Sequence, residues 1–214
     1  MRLFFRNAAE LSDESIFEKA LGSVGEIRRR KVLRYKNQNA ARLSLAAGLA
    51  FSDGLRSLGI DPGKPDAECD DDSQNGSNEA PRVYMLTYGD HKKLYYNISH
   101  SGEIAVCGFS DVPIGVDIEL ITDRNNESLI KRFSRSEQDY ILNDEERVAE
   151  NLLRVWTLKE SYLKCIGIGL SGLDDAPEMI PEKSFKLEHG GETYLFSQDI
   201  HEKKYVISVC ERSR

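Results

Sequence analysis

Short apolar runs bounded by turn-forming residues predict eight strands along this chain, and in one of them, residues 114–119, apolar and polar residues alternate. An alternation with a period of two is typical of a strand that buries one face. The predicted strands cover residues 3–5, 83–87, 94–98, 104–109, 114–119, 185–187, 194–196 and 205–210. Turn-forming residues such as Gly89-Asp90 and Ser101-Gly102 separate the four central candidates, which therefore fit an antiparallel sheet. Gly190-Gly191 predicts a hairpin turn later in the chain.

Apolar residues at helical spacing predict the helices. Ser12-Asp13-Glu14-Ser15 is typical of a helix start, and the alanine-rich residues 40–58 predict a closely packed helix with Gly59 as its C-cap. Further helices are predicted over residues 127–133, 135–142 and 144–166, with a flexible loop after the last. Residues 61–80 contain prolines, glycines and Asp70-Asp71-Asp72, which indicates a solvated loop and not a metal site.

Composition narrows the class of protein. A chain of 214 residues with 40% hydrophobic residues can bury one core or two small ones. Each half combines helices with strands, so we predict an α+β protein of two similar α/β halves, residues 1–111 and 112–214, with the active site between them. Because both halves belong to one chain, we expect a monomer.

Charge, hydropathy and cysteine spacing exclude several functions. The net charge of −7 argues against a general nucleic-acid binder. No apolar run is long enough for a membrane span or a signal peptide, so we expect no membrane association. The four cysteines are scattered without a C-x-x-C pair, which is typical of reduced thiols in the cytoplasm.

One cationic segment stands out in this acidic chain. Seven basic residues occur with no acidic residue between Glu26 and Asp53: Arg28, Arg29, Arg30, Lys31, Arg34, Lys36 and Arg42. A charge run of this kind is compatible with a solvated helix face. It is equally what a phosphate-rich ligand or an acidic partner requires.

Gly115-Val116-Asp117-Ile118-Glu119 is a predicted strand with two carboxylates on one face. Two like charges on one face repel each other, so a cation between them would be stabilising. Gly115 beside them leaves room for a ligand to approach. The alternative is a strand edge whose polar face lies in water.

The predicted helix 144–166 places a third carboxylate on a buried face. Leu152, Trp156, Glu160 and Lys164 follow one another at i, i+4 spacing. Burial of an isolated carboxylate is costly, so Glu160 needs a partner. Lys164 could form a structural ion pair with it, or Glu160 could share a metal with Asp117 and Glu119. Sequence geometry leaves these two possibilities open.

A further polar cluster ends one of the predicted strands, at Asn97-Ile98-Ser99-His100-Ser101-Gly102. A Ser-His pair suggests a hydrolase, but adjacent strand residues point apart and no G-x-S-x-G motif accompanies them. Binding of an anionic group is the simpler function for this cluster.

Together these segments resemble the 4′-phosphopantetheinyl transferases. The resemblance is carried by Gly115-Val116-Asp117-Ile118-Glu119 and by Trp156-Thr157-Leu158-Lys159-Glu160-Ser161-Tyr162-Leu163-Lys164, and it extends to Asn97-Ile98-Ser99-His100-Ser101, Arg132-Phe133-Ser134 with Glu137, and Gly167-Ile168-Gly169-Leu170-Ser171. The length and the N-terminal half are similar to the longer type, which resembles the enzyme that activates surfactin synthetase.

The resemblance implies transfer of the phosphopantetheine arm of coenzyme A to a serine hydroxyl of an apo acyl or peptidyl carrier protein, with release of 3′,5′-ADP. It implies that Asp117, Glu119 and Glu160 hold Mg²⁺ against the pyrophosphate, an ion that prefers carboxylate oxygens. It further implies that Glu160 takes the proton from the serine and that Lys164 stabilises the pyrophosphate charge.

The same resemblance assigns the nucleotide end of coenzyme A to Ser99, His100, Arg28, Lys31 and Arg42. Many relatives carry G-[ED]-H-G-K-P before the N-I-S-H motif, where this chain has Gly89-Asp90-His91-Lys92-Lys93-Leu94. Lys93 matches the lysine of that pattern, whereas the glycine and the proline are absent.

Carrier proteins are acidic, so a basic and apolar docking surface is expected. The sequence suggests Lys131, Arg132, Phe133 and Arg135 for this surface. Two other functions stay open at this stage: a metal-dependent phosphoesterase or nuclease that uses the same carboxylates, and a carrier-protein binding relative without catalytic activity.

Overall fold

The computed structural model describes residues 1–62, 83–89, 92–122, 127–182 and 184–213. These residues form two compact units. The first contains the described residues up to Asp111 except Val83, and the second contains Val83 and the described residues from Val112 onward. Residues 63–80 of the predicted loop 61–80 lie outside the described residues. This part of the loop contains Asp70-Asp71-Asp72.

The first unit is a four-stranded antiparallel sheet with helices. Its elements are β1 (Arg2–Asn7), α1 (Glu14–Leu21), α2 (Glu26–Arg34), α3 (Gln38–Ser57), β2 (Tyr84–Tyr88), β3 (Lys92–Ser101) and β4 (Ile104–Ser110). The strand order is β1-β4-β3-β2. Helix α1 starts where predicted, because the Asp13 side chain accepts a hydrogen bond from the backbone N–H of Ile16.

Helix α3 carries the core of the first unit. Its alanines Ala46, Ala47 and Ala50 are fully buried, which confirms the predicted close packing. Small side chains let the helix backbone approach the sheet, where Phe51 stacks on Phe109 of β4. Gly59 follows the helix with a positive φ of 74°, as predicted for its C-terminus.

The second unit repeats this arrangement. Its elements are β5 (Ile114–Leu120), α4 (Glu127–Ile130), α5 (Arg135–Leu142), α6 (Val148–Ile166), β6 (Ser184–His189), β7 (Glu192–His201) and β8 (Tyr205–Arg212). The strand order is β5-β8-β7-β6. In each unit the first strand pairs with the last and a long helix precedes the second strand, so the predicted α+β architecture of two similar halves is confirmed.

Several predicted elements differ from the structure. The predicted strand 114–119 is β5. It pairs with β8 in the second sheet and does not join β2, β3 and β4 in the first sheet, as the sequence had suggested. Helix α4 ends at Ile130, and α6 begins at Val148, four residues later than predicted, since a turn precedes it. A 3₁₀ helix, Gly169–Asp175, occupies the predicted flexible loop and buries Leu173.

Helix α6 is buried along almost its whole second half and packs against β5 and β8. An apolar cluster on this helix includes Leu158, Tyr162 and Leu163, with Phe196 of β7. The described helices include none that combines the length and the hydropathy needed to cross a membrane.

Candidate functional site

Strand β5 buries both of its faces. Val116 and Ile118 are fully buried, as expected for the apolar face, but Asp117 is also only 3% exposed. The alternative of a polar face in water is therefore wrong for Asp117. Glu119, two residues further, is half-buried.

Gly115 lets helix α6 approach this strand. A Cβ atom at position 115 would lie 1.9 Å from the backbone oxygen of Ser161 and 2.5 Å from the backbone nitrogen of Cys165. The space beside the two acids is thus filled by the α6 backbone. It does not admit a ligand, so the prediction that Gly115 leaves room for one is wrong. This close approach is what places Asp117 beside the helix.

Gly115→Ala is expected to destabilise the protein by about 1–3 kcal/mol, because the atoms that its Cβ would meet belong to the α6 backbone, which cannot move as easily as a side chain. Urea unfolding will measure the change in the free energy of unfolding. Gly22→Ala is the matched control, since its Cβ would meet nothing closer than 3.5 Å. An equal effect of the two substitutions would contradict the role assigned to Gly115.

Lys164 forms a direct ion pair with the strand acid Asp117. Its Nζ donates to Asp117 Oδ1 at 2.7 Å and to the backbone oxygen of Val116 at 3.2 Å. The sequence left open whether Lys164 pairs with Glu160. The structure shows that the direct ion pair joins α6 to β5 through Asp117.

Glu160 lies in the same cluster as a buried carboxyl group with an unusual pKa. It is 7% exposed, and this burial raises its pKa to about 7. The positive charge of Lys164 lowers the pKa, whereas the negative charges of Asp117 and Glu119 raise it further. Lys164, Asp117 and Glu119 therefore all act electrostatically on Glu160.

The arrangement of these acids is not that of a formed metal centre. Across the parts of the chain that the structure describes, no three acidic, histidine or cysteine side chains are arranged to hold a metal ion. One Asp117 oxygen instead meets the Lys164 ammonium. A divalent cation on these acids stays a prediction.

A second buried ion pair lies one residue from Glu160, and sequence reasoning gave it no function. Lys159 Nζ lies 2.9 Å from Oε1 of Glu137, and their side chains are 5% and 0% exposed. The Glu137 carboxylate also accepts hydrogen bonds from the backbone nitrogens of Ser134 and Met179, at 2.9 and 2.8 Å. Lys159 also donates to the backbone oxygen of Pro177 at 2.9 Å.

Two sequence signals could have revealed this pair. Ser134-x-x-Glu137 is a capping-box pattern, which the structure forms at the start of α5. Val155, Lys159 and Tyr162 follow at i, i+4, i+7, which puts the lysine on a buried face. The pair connects α5, α6 and the segment after the 3₁₀ helix.

The basic residues predicted to contact the nucleotide lie in the first unit. Arg28 and Lys31 are half-buried on α2. A Cβ at Gly48 of α3 would lie 2.5 Å from Arg28 Cγ, so the methylene groups of the arginine side chain pack against that helix. Arg42 of α3 donates from Nη2 to the backbone oxygen of Ser12 at 3.4 Å.

Strand β3 holds the other predicted nucleotide contacts. Ser99 and His100 are consecutive, so their side chains face opposite sides of the sheet; Ser99 is 8% exposed and His100 is exposed. Lys93 is exposed six residues before Ser99, about 20 Å along the strand. Ser99 and Lys93 therefore cannot contact the same phosphate group.

Comparison with known proteins finds a family match over the segment that contains this cluster. Residues 113–210 match the family model described as the 4′-phosphopantetheinyl transferase superfamily. This range contains Asp117, Glu119, Glu160 and Lys164, whereas the predicted residues of the first unit lie outside it. The match also extends over nearly all of the second unit.

Individual relatives agree with the family match. The chain is 32% identical to the 4′-phosphopantetheinyl transferase Sfp of Bacillus subtilis (strain 168) over 120 residues, which is 55% of this chain and 50% of Sfp. It is 30% identical to the 4′-phosphopantetheinyl transferase gsp of Aneurinibacillus migulanus, over 55% of this chain and 46% of gsp. The alignments therefore span about half the length of these two relatives.

A longer alignment includes the first unit. A 4′-phosphopantetheinyl transferase of Bacillus subtilis is 26% identical over 199 residues, which is 90% of this chain and 84% of that protein. The family match over residues 113–210 and these relatives support the resemblance of the chain to the 4′-phosphopantetheinyl transferase superfamily. Its predicted resemblance to the longer, Sfp-like type is confirmed.

Proposed function

We propose that this protein transfers the 4′-phosphopantetheine group of coenzyme A to a serine hydroxyl of an apo carrier protein. The serine oxygen forms a bond to the β-phosphorus of the coenzyme A pyrophosphate, and the bond from that phosphorus to the bridging oxygen breaks. The products are the phosphopantetheinylated serine and 3′,5′-ADP. The observation that carries this proposal is the cluster of Asp117, Glu119, Glu160 and Lys164 between β5 and α6, inside the range that matches the family.

Each residue of the cluster has a function in this reaction. Glu160 accepts the serine proton, for which a carboxyl group with a pKa of about 7 is suited near neutral pH. The Lys164 ammonium stabilises the negative charge that develops on the leaving pyrophosphate oxygen. Arg28, Lys31, Arg42, Lys93, Ser99 and His100 bind coenzyme A, with Ser99 and His100 at the nucleotide end.

The donor set of the cluster fits Mg²⁺. Asp117, Glu119 and Glu160 supply carboxylate oxygens, the ligands that this ion prefers. Their repulsion, which raises the pKa of Glu160, would be relieved by a divalent cation. Mg²⁺ held by these three residues would supply positive charge to the pyrophosphate. Asp117 would in that case be shared between the ion and Lys164.

Intact mass of an apo carrier protein tests the transfer. After incubation with the protein, coenzyme A and Mg²⁺, we expect one phosphopantetheine group on the carrier protein and an equal amount of 3′,5′-ADP. EDTA should abolish both products, and excess Mg²⁺ should restore them. An acyl and a peptidyl carrier protein are assayed in parallel.

The same assay separates the other functions. Formation of 3′,5′-ADP without a carrier protein would indicate hydrolysis, as expected of a phosphoesterase. A carrier protein that binds but gains no mass would indicate a relative without catalytic activity. Transfer that persists in EDTA would overturn the proposed Mg²⁺ site and leave the transfer itself in place.

The partners and the compartment complete the proposal. Coenzyme A is the co-substrate, and an apo acyl or peptidyl carrier protein is the acceptor. A monomer suffices, since one chain supplies both groups of predicted residues. The described cysteines Cys107, Cys165 and Cys210 are free and buried, which supports a reducing compartment such as the cytoplasm.

A further inference from the structure

Three buried polar side chains lie in one row across the sheet of the second unit. Asp117 of β5 is the register partner of Ser208 of β8, and Ser208 is in turn the register partner of Gln198 of β7. Directly opposed residues of neighbouring strands point to the same face of a sheet. The three side chains are only 3%, 0% and 4% exposed, so each needs a hydrogen-bond partner inside the protein.

Ser208 and Gln198 find these partners on helix α6. The Oγ atom of Ser208 and the Oγ1 atom of Thr157 are hydrogen-bonded at 2.7 Å. Gln198 accepts a hydrogen bond from Arg154 Nη1 at 3.0 Å, and its Nε2 donates to the backbone oxygen of Arg154 at 2.8 Å and to Ser208 Oγ at 2.9 Å. We call Thr157, Gln198 and Ser208 the Gln198 network.

The Gln198 network meets α6 one turn before Glu160. Thr157 precedes Glu160 by three residues and Lys164 follows it by four, so all three lie on one side of the helix. Lys164 is hydrogen-bonded to Asp117, and Thr157 is hydrogen-bonded to Ser208. Glu160 therefore lies on the stretch of helix between two polar contacts with the strand pair β5–β8.

Hydrogen bonds of this kind select one placement of α6 on the sheet. Apolar contacts are non-directional and tolerate a small slide or rotation of the helix. A buried hydrogen bond does not, because a displaced donor or acceptor is left without a partner away from water. Thr157 and Ser208 are both 0% exposed, so water cannot replace the bond between them.

A small change in the placement of α6 has a large effect at the Glu160 carboxylate, because that group lies far from the helix axis. Including its side chains a helix has a radius of about 5–6 Å, so a rotation of about 20° moves the carboxylate by about 2 Å. A displacement of about 1 Å in an active site can lower the rate about 10²-fold.

We infer that Thr157, Gln198 and Ser208 are positioning residues, which hold Glu160 in place relative to Asp117. The inference rests on the proposed function, in which Glu160 accepts the serine proton. The three residues act through the helix and not on the reacting atoms, since their polar groups are buried and bonded to one another and to α6. The alternative is a network that stabilises the fold and nothing more.

Removal of the Thr157 hydroxyl tests the inference. Thr157→Val keeps the shape of the side chain and should lower kcat for transfer about tenfold, with the KM values for coenzyme A and apo carrier protein within about twofold of the wild type. Thr157→Ser keeps the hydroxyl and should return kcat to within about threefold. Ser208→Ala should lower kcat as Thr157→Val does, and the double variant should lower it no further. Circular dichroism sets an assay temperature at which every variant is folded.

The matched control is Ser161→Ala. Ser161 is also 0% exposed and is adjacent to Glu160, but its Oγ donates to the backbone oxygen of Leu158 within α6, at 2.8 Å. This hydroxyl does not connect the helix to the sheet, so kcat of the control should stay within about twofold of the wild type. Equal losses of kcat in Ser161→Ala and Thr157→Val would overturn the inference, as would a Thr157→Ser variant as slow as Thr157→Val.

Amide hydrogen exchange provides a measurement that does not depend on activity. In Thr157→Val the amides of residues 158–163 should exchange about tenfold faster than in the wild type, because α6 is held less tightly, whereas Ser161→Ala should stay within about twofold. A loss of kcat without faster exchange would contradict positioning through the helix.

The two measurements distinguish failure of this inference from failure of the proposed function. If the wild type transfers phosphopantetheine and Thr157→Val has the same kcat, the network only stabilises the fold and the positioning inference alone is wrong. If the wild type transfers nothing to either carrier protein, the proposed function fails and the inference fails with it, whatever the exchange rates are.

Discussion

Glu160→Gln is expected to lower kcat for transfer by about 10³-fold, because the amide can neither accept the serine proton nor bind a divalent cation as a carboxylate does. Phosphopantetheine transfer followed by mass spectrometry measures this loss. The control is Glu150→Gln on the same helix, whose carboxylate is paired with Arg147 and Arg154. We expect that control to stay within about twofold of the wild type.

The same substitution should stabilise the fold at high pH. In the folded protein the Glu160 pKa is about 7, above its ordinary value of 4.5. The unfolded chain therefore ionises first, and the wild type loses stability as the pH rises from 4.5 through 7. Without divalent cations and with EDTA, Glu160→Gln should be about 2 kcal/mol more stable than the wild type at pH 8, and the difference should vanish near pH 4.5.

Two results would contradict this account of Glu160. Full transfer activity in Glu160→Gln would remove the proposed proton acceptor and metal ligand. A stability difference that does not depend on pH would show that Glu160 is not held as an uncompensated buried carboxyl group. Urea unfolding at pH 5 and pH 8 distinguishes these cases from loss of the fold.

Lys159→Met is expected to destabilise the protein by about 3–5 kcal/mol, since it leaves the Glu137 carboxylate buried without its counter-charge. Glu137 is 0% exposed, so water cannot replace the lysine. The backbone donors of Ser134 and Met179 satisfy part of the carboxylate, but they carry no full positive charge. Urea unfolding at pH 7 will measure the change in the free energy of unfolding.

A double variant and a surface pair provide the controls. Lys159→Met/Glu137→Gln removes both charges and should recover part of the lost stability. Lys186→Met breaks the ion pair with Glu188, whose side chains are 59% and 62% exposed, and should cost less than about 1 kcal/mol. If Lys159→Met cost no more than Lys186→Met, burial would not be the cause of the effect.

Much of the candidate site could be predicted from local sequence patterns. The alternation around Asp117 and Glu119 predicted a strand, and the i, i+4 spacing of Glu160 and Lys164 placed both on one helix. The family resemblance then identified these residues as one group. Patterns of this length work because secondary structure has fixed periods that side chains reveal locally.

Other features of the site needed the positions of distant segments. Lys164 had two possible partners in the sequence, and its pairing with Asp117 depends on how closely α6 approaches β5. Gly115 was predicted to leave space for a ligand, whereas the α6 backbone fills that space. Lys159 received no function from the sequence, and its partner Glu137, 2.9 Å away, is identified only by the fold.

The sequence by itself determined the eight strands, the long helices and the resemblance to the family, and it predicted the acidic residues of the candidate site, since each depends on residues near one another in the chain or on a motif. The tertiary structure decided that β5 pairs with β8, that Phe133 is buried, and which charges face each other across α6. These outcomes depend on packing between residues about 20 to 100 positions apart, whose contacts are not encoded in any local period.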